Sequence, residues 1–261
     1  MLHHFFSPDT KARIEPAEFM THLLSYQGLD PANICLRPTV LLPLIPAIER
    51  RLLRTVGAPA PHPYKIQRQA LYNPADYPFS LIASPMGAPM AVMMLEQLVA
   101  LGARHFLYVG FCGALETSYR IGDYFLPAYA IREEGTSYHY LPAEVIPASS
   151  ARLNALLLKQ ATRQRLAVRQ GPIWSTDAPY RETAHKIQYY QNAGIHAVDM
   201  EMAALFAVSH YRGCEITALL IVSDECYHPT WKPGFGVPQL RQACQAAVEV
   251  CIAVATEIAA G

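Results

Sequence analysis

Two acidic segments have residue types and spacing suited to chemistry. In Val198-Asp199-Met200-Glu201, two carboxyl groups stand where a short apolar run gives way to an alanine-rich helical pattern. Ser223-Asp224-Glu225 follows ITALLIV, the most apolar run in the chain. Each segment has a local reading: Asp199 caps a helix and Glu201 is favoured by its positive end, while 223–225 forms a turn. A joint reading is also open. Acids at the ends of separate strands can converge on one cleft, where burial tunes one as a proton donor. Gly110-Phe111-Cys112-Gly113 follows another apolar run; its glycines let a ligand approach the backbone, or simply make a turn. It is neither GxGxxG nor a phosphate loop. Trp174 and Tyr180 flank Asp177 and form either one wall of an aromatic pocket or ordinary core. The histidines show no HExxH or similar metal spacing, and the six cysteines form no CxxC pair.

The elements that must position these residues alternate. Apolar runs at 79–84, 105–110, 124–132, 171–176, 195–198 and 215–222 read as strands. Helical patterns fall at 89–102, 151–166, 181–192, 200–212 and 239–259, with a short basic helix at 49–56. Such alternation predicts a three-layer α/β domain with a substantially parallel sheet. Ligands of open α/β sheets bind beyond the carboxyl ends of the strands. That rule selects residues 84–87, 110–113, 176–180, 199–201 and 223–225. The first 70 residues, with nine prolines, are expected to be irregular, and Pro61-His62-Pro63 to be a loop. One domain spanning 1–261 is the simplest organisation.

Composition narrows the function. Lysine plus arginine and aspartate plus glutamate both number 21, so the formal net charge is zero. A nucleic-acid or membrane-surface binder normally carries a basic excess, and neither partner is expected. Hydrophobic residues are 52% and charged residues 16% of the chain. A large core is affordable, and apolar surface is left over for subunit contacts, so a homo-oligomer is expected. No apolar stretch of membrane-spanning length lacks charge or Pro/Gly interruption, and the start MLHHFFSPDTKARIEP lacks a signal-peptide core. These features predict a cytoplasmic protein.

Several segments resemble the purine nucleoside and uridine phosphorylase family. They are LIASPMGAP, HFLYVGFCGALETSYRIGDYFLPAYAIREEGTSYHY, GPIWSTDAPY, VDMEMAALFAVSHYRG, ALLIVSDE and WKPGF, spread over 79–259. The resemblance implies an α/β/α sandwich around a mixed, partly barrel-like sheet. It implies cleavage of the bond between ribose and nucleobase, with phosphate as co-substrate and no cofactor. It also implies subunits that complete one another's sites, as in a dimer or a trimer of dimers.

Position by position, Glu201 matches the acid that holds the ribose hydroxyls. Met200 and Met86 match sugar-contacting methionines. Ser223 and Asp224 match the purine-branch pair whose aspartate protonates the leaving base. Cys112, Gly113, Val198 and Asp199 match the base-pocket wall, and Pro179, with Tyr180 beside it, matches a stacking aromatic. His4 matches a neighbour's contact to the ribose 5′-hydroxyl.

The phosphate half departs from the pattern. The expected glycine-aspartate-proline-x-arginine loop aligns with RPTVLLP at 37–43, the expected arginine before Gly110 is Tyr108, and the expected serine or threonine is Phe111. A dianion needs charged or donor partners. Arg68, Arg50 or Arg51 from a neighbouring subunit is the candidate replacement. The hydrolytic relatives use an early glutamate to activate water, and Glu49 is the nearest acid here. Three readings follow: phosphorolysis of a purine nucleoside, its hydrolysis, or binding without turnover.

Overall fold

The computed structural model describes residues 5–9, 11–30, 34–57 and 59–261. In chain order the elements are α1 (Pro16–Tyr26), β1 (Thr39–Pro43), α2 (Pro46–Thr55), β2 (Pro61–Ile66), β3 (Gln69–Tyr72), β4 (Ser80–Ile82), α3 (Ala88–Ala100) and β5 (His105–Ala114). There follow β6 (Tyr124–Glu133), α4 (Ala151–Arg163), β7 (Val168–Thr176), α5 (Ala184–Asn192), β8 (Ala197–Asp199), α6 (Met202–Arg212), β9 (Glu215–Glu225), β10 (Lys232–Pro233) and α7 (Pro238–Ala260).

Among the described residues the strands form one mixed sheet in the order β10-β9-β6-β7-β8-β5-β1-β4-β3-β2, with β9 also paired to β5. That extra pairing closes β5, β9, β6, β7 and β8 into a five-stranded barrel, and β1, β4, β3 and β2 continue outward as an arm. Helices α1, α3 and α6 share one apolar cluster with the sheet, and α2, α4 and α7 share another on its opposite face. The fold is the expected α/β/α sandwich with a partly barrel-like centre.

Three local expectations change. The Gly110–Gly113 segment does not turn: β5 runs on to Ala114, paired with β9 along its length. Residues 223–225 are not a turn, because β9 continues to Glu225. The β5–β9 register shifts between Cys112 and Gly113, so that Cys112 faces Val222 and Gly113 faces Asp224. A bulge of this kind re-aims side chains without ending the pairing. The proline-rich beginning is also more ordered than expected. Residues 39–43 form a buried strand between β4 and β5. Pro61 and Pro63 lie in β2, at the sheet edge, where missing amide donors break few ladder bonds.

By length and mean hydropathy (1.6) α7 could cross a bilayer. Instead Leu240, Ala247, Cys251, Val254 and Ile258 bury one face of it among residues of β1, β5 and β9.

Candidate active site

Glu201 is the N-cap of α6 and is 3% exposed. Two elements distant in sequence fix its carboxylate. The amide of Gly87, in the turn leading into α3, donates to Oε1 at 2.7 Å, and the Tyr108 hydroxyl on β5 donates to Oε2 at 3.3 Å. Each carboxylate oxygen has two acceptor positions, so Gly87 and Tyr108 by themselves leave room for an incoming hydroxyl. Burial, and after it the Asp199 carboxyl, pushes the Glu201 pKa upward. Gly87 has φ +89°, which explains why glycine occupies this turn.

Asp199 is not the N-cap residue, but its side chain caps the helix start from two positions earlier. Its Oδ2 accepts from the amides of Glu201 (2.8 Å) and Met202 (2.7 Å), and its Oδ1 from the Ser175 hydroxyl (2.5 Å). Ser175 in turn accepts from the Ala203 amide at 2.9 Å. The capping and cleft readings are therefore compatible: Asp199 locks the helix start that carries Glu201, and both face the same hollow.

That hollow is a cavity of about 740 Å³ with Glu201 and Asp224 both in its wall. Asp224 accepts from the Ser223 hydroxyl on Oδ1 at 2.6 Å; its Oδ2 accepts from the Trp231 indole at 2.8 Å and the Cys226 thiol at 3.1 Å. Gly113 permits this approach. A Cβ there would stand 2.7 Å from Cys226 Sγ and 3.2 Å from Asp224 Oδ2.

Every strand-end segment selected from the sequence supplies wall: Met86; Phe111, Cys112 and Gly113; Pro179 and Tyr180; Val198, Asp199, Met200 and Glu201; Ser223 and Asp224. Trp174 does not. It is buried against Tyr190, with ring centroids 4.2 Å apart, so the core reading holds for it. Tyr108 is buried beneath the wall, bonded to Glu201, and Gly110 makes room for its ring, since a Cβ there would lie 2.7 Å from Tyr108 Cε1.

The expected phosphate corner is apolar. Leu44 and Ile45, just after β1, line the cavity with Phe111 and Phe235. Arg37 is committed elsewhere, donating to the carbonyls of Pro74 (2.7 Å) and Phe79 (3.0 Å). Arg68 lies on the exposed β2–β3 turn with φ +69°, outside this wall, and Glu49, Arg50 and Arg51 are on α2, also outside it. His4 lies outside the described residues. Among the described wall residues there are four carboxylates and neither lysine nor arginine.

Glu182 and Trp231 are among the wall residues that were not singled out from the sequence. Glu182 follows the 179–181 turn, two residues beyond the selected strand end. Burial, then the Asp224 and Glu133 carboxylates, push it up to about 7. Trp231 reaches Asp224 from the hairpin that β10 closes, and only its place within WKPGF hinted at a role.

Residues 49–259 match the family model described as Phosphorylase superfamily. The chain belongs to this superfamily. Among curated members, a guanosine phosphorylase of Halorubrum lacusprofundi is 31% identical over 159 residues, 61% of this chain and 65% of the relative. A DeoD-type purine nucleoside phosphorylase of Bacillus cereus is 25% identical over 57% of this chain and 64% of its own length. The matches thus span just under two thirds of these relatives. Among superfamily structures, purine nucleoside phosphorylase of Toxoplasma gondii, solved with immucillin-H, superposes with TM-score 0.79 at 19% identity, covering 89% of this chain and 94% of that one. Uridine phosphorylase of Vibrio fischeri gives 0.76 at 21%, covering 85% and 93%. These two establish a shared fold.

Proposed function

We propose that this superfamily member cleaves the N-glycosidic bond of a purine nucleoside, with Glu201 holding the ribose hydroxyls and Asp224 protonating the departing base. The observation that carries the reading is the shared cavity: a buried carboxylate held by the Gly87 amide and the Tyr108 hydroxyl, in the same wall as a second acid that accepts from Ser223, Cys226 and Trp231. As the bond from C1′ to the base nitrogen breaks, its electron pair moves into the purine. The sugar gains positive character, which the Glu201 carboxylate offsets through the hydroxyls. The purine gains negative charge, which a proton moving from Asp224 to the five-membered-ring nitrogen neutralises. The nucleophile's oxygen then bonds to C1′. Met86 and Met200 pack the sugar, and Cys112, Val198 and Pro179 enclose the base.

The relatives named above favour phosphate as that nucleophile. A second reading, water, is favoured by one specific observation: four carboxylates and neither lysine nor arginine among the described wall residues. A dianion placed there needs arginine from another copy of the chain, and Arg68 on its exposed turn is the candidate. Exposed Met90, Met93 and Phe19 provide apolar surface for a homo-oligomer.

The test is base release from guanosine, inosine and adenosine with and without phosphate. Release that requires phosphate supports phosphorolysis, and release regardless supports hydrolysis. Tight nucleoside binding with no release under either condition overturns the catalytic reading in favour of a binding protein.

A further inference from the structure

The hairpin between β9 and β10 carries Trp231 back over the cavity mouth. Its side chain is exposed, yet its indole N–H turns inward to Asp224 Oδ2 at 2.8 Å. The hairpin does not depend on that bond. Lys232 and Pro233 pair antiparallel with Glu225 and Asp224, and the Gly234 amide donates to the Ser223 carbonyl at 2.8 Å. Lys232 Nζ (3.2 Å) and His228 Nε2 (2.8 Å) both meet Glu225 Oε2. Gly234 is packed so closely that a Cβ would lie 2.4 Å from Ile121 Cγ2. With the backbone anchored in this way, the Trp231–Asp224 bond acts on Asp224.

Among the described residues the other two donors to Asp224, Ser223 and Cys226, come from its own stretch of chain. Trp231 is the one that reaches across from the returning strand. Indole and thiol together occupy both acceptor positions of Oδ2, while the Ser223 hydroxyl takes one position of Oδ1. The carboxyl plane is thereby fixed, and Oδ1 is the oxygen left with an open position.

Building on the proposed purine-nucleoside cleavage, we propose that Trp231 is a positioning residue whose indole N–H clamps Asp224 Oδ2, so that Oδ1 presents the proton to the departing base. A misoriented donor loses much of the advantage of proximity, so removing the clamp should slow only steps that need this proton.

The experiment compares guanosine with 7-methylguanosine, whose base already carries a positive charge and leaves without accepting a proton at that ring nitrogen. Trp231→Phe keeps an aromatic ring beside Phe235 but has no N–H. It should lower guanosine turnover about 10- to 100-fold and 7-methylguanosine turnover by less than about 3-fold. Trp231→Gln, which carries an N–H at the same number of bonds from Cα, should recover most of the guanosine rate. Should Trp231→Phe fold poorly, Trp231→Gln against Trp231→Leu repeats the comparison with and without a donor. Equal losses on both nucleosides, or no loss on guanosine, overturn the clamp. A wild-type protein that releases base from neither substrate overturns the underlying functional reading instead.

Discussion

The Tyr108 hydroxyl donates to Glu201 Oε2 at 3.3 Å, from a strand 93 positions earlier in the chain. Where the resemblance expects a phosphate-binding arginine, this chain carries a neutral donor that grips the acid proposed to hold the ribose hydroxyls. Burial and the nearby Glu201 and Asp199 carboxylates raise the Tyr108 phenol well above its ordinary range, so it stays a protonated donor at all working pH values. Removing it with Tyr108→Phe should cost about 1 kcal/mol in urea unfolding and raise the nucleoside KM several-fold. An unchanged KM would show that Glu201 does not need the tyrosine to stay aligned.

Gly113 holds Asp224 and Cys226 close to β5. Gly113→Ala introduces a Cβ 2.7 Å from Cys226 Sγ and 3.1 Å from Val198 Cγ1, with β8 and β9 packed too tightly to yield freely. Overpacking of this kind costs about 1–3 kcal/mol. Chemical unfolding should show that loss, together with a fall in base release as Asp224 is pushed aside. Wild-type stability and activity in this variant would contradict the close approach.

Glu182 gives a pH-dependent signature. Its folded-state value of about 7 lies above the ordinary 4.5, so the native chain holds a proton that the unfolded chain releases. The stabilisation linked to that proton is complete below about 4.5 and is lost as pH rises through about 7. Glu182→Gln is neutral throughout. Discounting for partial exposure leaves an effect on the order of 1 kcal/mol, or about 2–4 °C in a domain of this size. Thermal melts should therefore show little difference between variant and wild type near pH 4.5, and a higher Tm for the variant at pH 8. A variant less stable than wild type at pH 8 would mean that Glu182 is paired as a carboxylate.

The site was legible where local pattern and strand-end position coincide. Apolar runs located β5, β7, β8 and β9, and the rule that ligands sit beyond strand ends led to Met86, Cys112, Pro179, Glu201 and Asp224, which share one cavity. The resemblance added roles to Glu201 and Asp224 that position alone left open. Sequence reading failed where pairing overrides local signals. Gly110 and Gly113 look like a loop, but their missing side chains admit the Tyr108 ring and the Cys226–Asp224 pair into a continuous strand. Pro61 and Pro63 look like breakers, yet β2 is an edge strand. Glu182 and Trp231 carry no periodicity of their own; they reach the cavity only through the 179–181 turn and the β9–β10 hairpin.

A crystal structure of the protein with guanosine bound is the most direct measurement. Ribose hydroxyls are expected within about 3.2 Å of both Glu201 oxygens and the five-membered-ring nitrogen of the base within about 3.2 Å of Asp224 Oδ1, roughly the limit of hydrogen bonding. Guanosine bound outside this cavity, or reversed so that the base meets Glu201 and the sugar meets Asp224, would contradict this arrangement.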